Sequence, residues 1–163
     1  MRQRPGRVVL SLGSNLGDRL AHLQAAVDAL RPDVIAVSPV YETAPVGPVP
    51  QGDYLNAVVL VHGSAHRSWP ERIRALESAA GRVRVQRWGP RTLDVDVVSV
   101  DGLTSAAPAL TLPHPRAHER AFVLVPWLDV EPDAVLPGHG TVADLVAGLD
   151  TSGVRRAERM VLR

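Results

Sequence analysis

Two aspartates separated by a single residue stand in the middle of the chain and could act together on one substrate. Asp94 and Asp96 belong to the run TLDVDVVSV, in which acidic and apolar residues alternate. Successive side chains of a strand point to opposite faces, so both carboxylates are expected on one face, about 6.6 Å apart, with Leu93 and Val95 on the other. This spacing suits a pair of Mg²⁺ ions about 4 Å apart. The alternative is that both aspartates are solvated on the exposed face of an edge strand and bind no ligand.

A cluster of arginines precedes the two aspartates. The residues are Arg82, Arg84, Arg87 and Arg91. Guanidinium forks bind phosphate oxygens through two hydrogen bonds, and next to metal-binding carboxylates they favour a nucleoside triphosphate as ligand. The alternative is that these arginines form a solvated, positively charged segment that binds no ligand. The glycines and the proline that punctuate this loop instead indicate a lid that closes and reopens.

A third pair of residues could bind a flat, polar heterocycle. Tyr54 and Asn56 are two positions apart in an apolar run, which places them on one face of a strand. An aromatic plate supplies stacking, and a carboxamide supplies hydrogen bonds to a ring edge. The alternative is that both residues face solvent and have no ligand.

Two histidines have the spacing of a helical metal pair. His114 and His118 are four residues apart, but Pro115 disfavours helical geometry at His114. A shared metal is therefore not expected, and His114 is predicted to donate to a phosphate or another oxygen.

Composition narrows the classes of chemistry. The chain has 163 residues, no cysteine and a formal net charge of +1, and its 18 basic residues are all arginine. Without lysine or cysteine, the sequence excludes Schiff-base chemistry, the lysine-containing phosphate loop, thiolate nucleophiles and disulfides. It predicts one domain over residues 1–163. With no signal-peptide core and no apolar run of membrane-spanning length, a cytoplasmic, soluble protein is expected.

The surrounding pattern predicts the elements that position these residues. Strands are expected over residues 8–12, 34–41, 54–61 and 92–100, and a short edge strand within 155–163. Helices are expected after Asp18, after Ser68 up to Gly81, and over residues 116–129 and 142–149. This order predicts an α+β sandwich with helices on one face of a mostly antiparallel sheet.

Six blocks of the chain together resemble a known enzyme family, 6-hydroxymethyl-7,8-dihydropterin pyrophosphokinase. The blocks are SLGSNLGDR, YETAPVG, DYLNAV, GRVR, RWGPRTLDVDVV and LPHPRAHERAFVL. They follow one another in the family's order and cover nearly the whole chain, and RWGPRTLDVD is the most specific of them. The resemblance implies a ferredoxin-like βαββαβ sandwich with extra C-terminal helices. It also implies transfer of pyrophosphate from ATP to the pterin hydroxymethyl group, with release of AMP, in folate biosynthesis.

The resemblance also implies roles for individual residues. Arg82, Arg91, Asp94 and Asp96 would be catalytic, with Asp94 and Asp96 holding two Mg²⁺ ions. The ATP contacts would be Glu77, Arg84, Arg87, Trp88, Thr111, His114 and Arg120. The pterin contacts would be Gly13, Thr43, Pro45, Val46, Tyr54, Asn56 and Phe122. The implied protein is a monomer that binds two small molecules and neither nucleic acid nor membrane.

The chain departs from the family pattern at several nucleotide-side positions. Val85, Pro115, Arg74 and Ala109 stand where some relatives have other residues, which affects the expected contacts to adenine but leaves the metal site unchanged. A non-catalytic RNA-binding module is the competing interpretation, because ferredoxin-like sheets can stack bases and the basic loop over residues 82–91 could follow a phosphate backbone. That interpretation leaves the paired aspartates unexplained.

Overall fold

The protein is described by a computed structural model that covers residues 6–63, 68–82, 88–101 and 103–163. Its strands are β1 (Arg7–Ser14), β2 (Val34–Val37), β3 (Tyr41–Thr43), β4 (Tyr54–His62), β5 (Asp94–Val100), β6 (Ser105–Ala107), β7 (Leu110–Leu112), β8 (Val135–Leu136), β9 (Gly140–Thr141) and β10 (Arg155–Arg156). Its α-helices are α1 (Arg19–Leu30), α2 (Trp69–Ala79), α3 (Ala121–Val130) and α4 (Val142–Ala147). A short 3-10 helix spans Ala117–Glu119.

The main sheet has six strands and is antiparallel. Its order is β10-β3-β4-β1-β5, and β2 also pairs with β4. The order along the chain is β1, α1, the pair β2 and β3, β4, α2 and β5. Strands β1 and β4 lie in the centre of the sheet. The predicted α+β sandwich of βαββαβ order is therefore confirmed, as are the extra C-terminal helices.

Both faces of the sheet are covered by helices. One apolar core joins Leu55 and Val59 of β4 to buried residues of α1 and α2, whereas the other joins Val58 and Leu60 to α3 and α4. The alternation along β4 places these two sets on opposite faces. The expectation that the helices cover one face holds for α1 and α2 and is wrong for α3, which forms a third layer. This third layer explains why β4 is apolar at almost every position.

A β-bulge divides β5 into two halves. Val97 pairs with Leu10 and Ser99 pairs with Val9, so Val98 is an extra residue between two paired positions. Before the bulge, Val95 and Val97 point into the core below α1 and α2; after it, Val100 points there. Val98 faces the opposite core. The extra residue therefore reverses the alternation along the strand.

Several predicted boundaries are wrong for identifiable reasons. The strand expected over residues 34–41 is two strands, because the Ser38 hydroxyl takes the place of a backbone carbonyl and accepts the Val58 N–H at 2.9 Å. The helix expected over residues 116–129 is a 3-10 turn followed by α3, with Arg120 in an extended conformation between them. The edge strand within 155–163 is only β10, paired with β3.

The two N-terminal helices begin close to where they were predicted. The Asp18 side chain caps α1 by accepting the Ala21 N–H at 3.1 Å. Ser68 is the N-cap residue of α2, although its hydroxyl makes no capping hydrogen bond with the described residues. None of the helices in the described part of the chain has the length and apolar character needed to cross a membrane.

Candidate functional site

The two aspartates of β5 lie as the alternation predicts. Leu93 and Val95 are buried in the core, and the side chains of Asp94 and Asp96 keep 26% and 36% of their surface exposed on the other face. Across β1, Asp94 pairs with Gly13 and Asp96 pairs with Ser11. Both carboxylates therefore lie over a floor formed by small residues, which leaves space above the sheet.

Asp94 is held by two arginines. Its Oδ1 accepts hydrogen bonds from Arg82 at 3.0 Å and is 2.9 Å from Nη1 of Arg91. Arg82 is buried and also donates to the Glu77 carboxylate and to the Leu93 carbonyl. Glu77 in turn accepts the Val95 N–H at 3.2 Å. Arg82 therefore lies behind Asp94, where it joins α2 to the start of β5.

Asp96 is less closely paired with cations than Asp94 is. Burial, followed by the neighbouring Asp94 carboxylate, raises the pKa of Asp96 to about 6, although Arg120 opposes this rise. Nη1 of Arg120 lies 3.8 Å from Asp96, and Nε2 of His114 lies 3.9 Å away. Burial and then the Arg120 charge lower the pKa of His114, which favours the neutral imidazole. An additional cation near Asp96 would relieve the repulsion between the two carboxylates.

The other end of the same face carries the aromatic and amide groups. Nδ2 of Asn56 donates to the Thr43 hydroxyl at 2.7 Å, which fixes the orientation of the amide. A Cβ atom added to Gly13 would lie 3.3 Å from the Tyr54 ring and 3.4 Å from Oδ1 of Asn56. Only glycine therefore leaves this contact unstrained. Burial raises the pKa of Tyr54, although the Arg91 charge opposes it.

One cavity of about 430 Å³ joins the two ends. Phe122 lines it from the first turn of α3, and the guanidinium of Arg120 lies 5.7 Å from the centre of the Phe122 ring. The predicted site residues that line the cavity are Gly13, Thr43, Val46, Tyr54, Asn56, Trp88, Arg91, Asp94, Asp96, His114, Arg120 and Phe122. Residues predicted separately from the carboxylate motif and from the aromatic motif therefore share one cavity.

Other predicted residues lie elsewhere. Arg82 and Glu77 lie behind Asp94, and Pro45 adjoins the lining residue Val46 without lining the cavity itself. The Thr111 hydroxyl donates to the Ala107 carbonyl at 3.1 Å within the β6–β7 hairpin. Arg84 and Arg87, and the departure at Val85, lie outside the described residues.

The cavity also contains residues that the motifs did not identify. These are Ser11, Ala44, Gly89, Arg116, Glu119 and Ala121. The alternation of side chains along a strand predicts that Ser11 shares a face with Gly13, since the two residues are two positions apart on β1. Arg116 and Glu119 carried no such signal, because the break before α3 determines where they point.

A comparison with known families settles which family this is. Residues 9–132 match the family described as 7,8-dihydro-6-hydroxymethylpterin-pyrophosphokinase (HPPK). The chain belongs to this family. The HPPK match contains all the residues found around the cavity, from Ser11 on β1 to Phe122 on α3.

Curated HPPK relatives carry the name 2-amino-4-hydroxy-6-hydroxymethyldihydropteridine pyrophosphokinase. A relative from Mycobacterium leprae is 59% identical over 82% of this chain and 76% of its own length. A relative from Methylorubrum extorquens is 42% identical over 93% of this chain and 99% of its own length. Both alignments cover more than four-fifths of this chain.

Solved structures support the fold. A Plasmodium falciparum HPPK-DHPS crystal structure superposes with a TM-score of 0.66 at 12% identity, covering 88% of this chain and 44% of the solved chain. A second HPPK-DHPS structure, in complex with substrates, gives a TM-score of 0.68 at 10% identity, covering 90% and 43%. The chain thus spans less than half the length of these solved proteins, and at this identity the likeness concerns the fold alone.

The chemistry of the donors at the HPPK cavity fits Mg²⁺. Within the described ranges, no group of three or more histidines and carboxylates converges, so no metal site is built from protein ligands alone there. Asp94 and Asp96 supply two carboxylates, and Mg²⁺ is commonly held by one or two carboxylates together with water and substrate phosphates. The protein would therefore contribute part of the coordination shell, and a nucleotide would contribute the rest.

Proposed function

We propose that this chain transfers the pyrophosphoryl group of ATP to the hydroxymethyl oxygen of 6-hydroxymethyl-7,8-dihydropterin. The products are the pterin diphosphate and AMP, a step of folate biosynthesis. Family membership and the names of the curated relatives support this reaction. The observation that carries it is the single cavity that joins Tyr54, Asn56 and Phe122 to Asp94 and Asp96. The two ends match a flat heterocycle and a polyphosphate.

The aromatic end suits the pterin. Tyr54 and Phe122 supply the two faces of a slot for a planar ring, and Asn56 reads the ring edge. Because Nδ2 of Asn56 is bonded to Thr43, its Oδ1 is directed towards Gly13 and accepts from ring N–H groups. We assign further contacts to the backbone of Thr43 and Val46, and the shaping of the pocket to Pro45, Gly13 and Trp88.

The charged end suits ATP. Arg91, Arg120 and His114 line the cavity beside the carboxylates and are assigned to the triphosphate. The predictions for Arg84, Arg87, Thr111 and Glu77 as nucleotide contacts stand on the resemblance alone. For Arg82, the contacts with Glu77 and Asp94 support a role through the position and charge of Asp94.

The reaction is a displacement at the β-phosphorus. A bond forms between the hydroxymethyl oxygen and the β-phosphorus, and the bond from the β-phosphorus to the bridging oxygen of AMP breaks. The alcohol proton leaves to solvent, since no described side chain is assigned as base. Two Mg²⁺ ions at Asp94 and Asp96, when bound, supply charge neutralisation for the triphosphate. Arg91 and the other cations orient the phosphates and stabilise the charge on departing AMP.

The decisive experiment is phosphorus NMR of the products formed from ATP and the reduced pterin, with and without Mg²⁺. We expect AMP and a pterin diphosphate, and only with Mg²⁺ present. Recovery of ADP and a pterin monophosphate would overturn the pyrophosphoryl assignment. Product formation without any divalent cation would overturn the metal assignment.

The family match and the named relatives give no support to the RNA-binding alternative. We further propose a monomeric, single-domain enzyme over residues 1–163 that works in the cytoplasm, where ATP is available. Sedimentation equilibrium tests the oligomeric state. A mass twice that of the chain would overturn the monomer.

A further inference from the structure

Two side-chain amides outside the assigned site join the segment that carries Trp88 and Arg91 to the rest of the protein. The first belongs to Asn15, a buried residue just after β1. Its Oδ1 accepts the backbone N–H of Arg91 at 2.8 Å, and the backbone N–H of Asn15 donates to the Arg91 carbonyl at 3.0 Å. Both backbone groups of Arg91 are thereby fixed to the end of a central strand.

The second amide belongs to Gln51, in the loop between β3 and β4. Its Oε1 accepts a hydrogen bond from Nδ2 of Asn15 at 2.8 Å. Its Nε2 donates to the Trp88 carbonyl at 2.7 Å and to the Val49 carbonyl at 3.3 Å. Asn15 and Gln51 therefore form one chain of hydrogen bonds, and we call this pair the amide brace.

The amide brace bonds to a residue with an unfavourable backbone conformation. Trp88 has φ of 65°, the left-handed region that residues other than glycine rarely adopt. A Cβ atom added to Gly47 would lie 3.5 Å from Cβ of Trp88, so these two loops pass close together. A strained residue keeps such a conformation only where its surroundings fix it. The bond from Gln51 to the Trp88 carbonyl acts at this strained residue.

We infer that Gln51 is a positioning residue that fixes the wall of the cavity shared by its pterin and phosphate ends. The inference rests on the proposed function. Trp88, Gly89 and Arg91 line the cavity from one of the two joined segments, and Thr43 and Val46, at the end of β3 and in the loop after it, line it from the other. Gln51 joins the two loops directly at the Trp88 carbonyl and also bonds to Asn15, so it sets the separation of these walls without itself lining the cavity.

The variant that isolates this role is Gln51→Glu. It keeps the shape of the side chain and the oxygen that accepts from Asn15, but it replaces the donor facing the Trp88 and Val49 carbonyls by a second acceptor. We expect kcat/KM for the pterin to fall about tenfold, the effect of losing roughly one such bond at the transition state. Gln51→Ala, which removes the amide without adding charge, is expected to act in the same direction.

A matched control is Gln24→Glu. Gln24 lies on α1 and bonds to Asp28 and to the backbone of Arg163, and none of these three residues lines the cavity. We expect wild-type kinetics for this variant. A similar loss of kcat/KM in Gln24→Glu would mean that added negative charge, and not the brace, causes the effect.

Tryptophan fluorescence gives a readout that does not depend on activity. Of the three tryptophans, Trp69 and Trp127 are each 1% exposed, whereas Trp88 is 38% exposed. Acrylamide quenching therefore reports mainly on Trp88. We expect the acrylamide quenching constant to rise in Gln51→Glu and Gln51→Ala and to stay unchanged in Gln24→Glu, with the far-ultraviolet circular dichroism of all three equal to wild type.

The outcomes separate this inference from the proposed function. If the wild-type protein forms no AMP from ATP and the pterin, the proposed function fails, and the quenching data still test the brace. If the wild type forms AMP but both Gln51 variants keep its kcat/KM and its quenching, the positioning role is overturned. A lowered melting temperature with unchanged kinetics and quenching would also overturn it, because Gln51 would then act on stability alone.

Discussion

Arg82 and Arg91 contact the same oxygen atom, Oδ1 of Asp94, at 3.0 and 2.9 Å. The Asp94 carboxylate is therefore paired with two guanidinium groups, one of which, that of Arg82, also pairs with Glu77. A divalent cation approaching Asp94 meets their positive charge. Phosphate groups would draw Arg91 away and supply oxygen ligands at the same time, since guanidinium pairs strongly with phosphate.

Mg²⁺ is consequently expected to bind well only together with a nucleotide. Titration calorimetry should give an affinity for Mg²⁺ that is at least about tenfold higher in the presence of a non-hydrolysable ATP analogue, because phosphate oxygens complete the ligand set. Asp96→Asn should abolish this enhancement. All affinities are corrected for the binding of Mg²⁺ to the free analogue. Equal affinity with and without the analogue would contradict the idea that the arginines compete with the metal.

Arg82→Ala should affect both stability and turnover. The change removes the buried cation next to Glu77, so we expect the free energy of unfolding to fall by about 3 kcal/mol. It also frees Asp94 from one of its two positive neighbours, and kcat should fall about a hundredfold while the Kd for ATP changes much less. Denaturant unfolding and steady-state kinetics measure the two effects.

The double variant with Glu77→Gln separates these two effects of Arg82. Removing the Glu77 charge together with Arg82 should recover most of the lost stability, since no charged carboxylate is then buried without Arg82. It should not recover kcat. Parallel recovery of stability and kcat would show that Arg82 acts on turnover only by keeping the protein folded.

Gly13→Ala should narrow the pterin end of the cavity. The new methyl group would press on the Tyr54 ring at 3.3 Å and on Oδ1 of Asn56 at 3.4 Å. We expect KM for the pterin to rise about tenfold, with KM for ATP within about twofold of wild type. Gly153→Ala is the matched control, because a Cβ atom there meets nothing within 4 Å. Equal changes in both KM values would place the defect outside the pterin end.

Tyr41 should ionise only at high pH. Burial, followed by its hydrogen bond to Asp129 on α3, raises the pKa of Tyr41 from 10.0 to about 12. The folded pKa lies above the unfolded value, so this group's contribution to stability is complete below pH 10 and is lost as the pH rises through about 12. The chain has two tyrosines, and burial also raises the pKa of Tyr54.

Phenolate absorbance in the near ultraviolet measures both tyrosines. In folded wild-type protein one tyrosine should ionise near pH 12, and Tyr41→Phe should remove that component. Denatured protein should ionise both groups near pH 10, which is the control. A full two-tyrosine transition at pH 10 in folded protein would contradict the buried bond to Asp129.

The most local patterns predicted the fold best. The alternation around Asp94 and Asp96 was confirmed because it depends only on the period of a strand. The cap at Asp18 was confirmed because it depends on a side chain three residues from the bonded N–H. The split at Ser38 could not be predicted with the same rules, since it depends on a bond to Val58 twenty residues away.

The site divides in a similar way. Tyr54 and Asn56 lie on β4 and the two aspartates on β5, and residue spacing in the sequence does not show that these strands border the same cavity. Only the family resemblance predicts that link. The sequence does not predict the role of Asn15, because a polar residue directly after a strand normally belongs to a turn. Its hydrogen-bond partners are 36 and 76 positions away in the chain, so a pattern of neighbouring residues cannot predict them.

The bulge at Val98 gives β5 one residue more than β1 in the paired region, and both halves of the strand keep the faces that their partners on β1 require. If Val98 were deleted, Val97 and Ser99 would become neighbours opposite Leu10 and Val9, so Asp94, Asp96 and Val100 would keep their present faces. Loss of this one residue is therefore expected to leave the carboxylates in the cavity and to remove only the contacts that Val98 makes in the core beneath α3. The strand thus tolerates a change in its length at the position that lies next to its two functional residues.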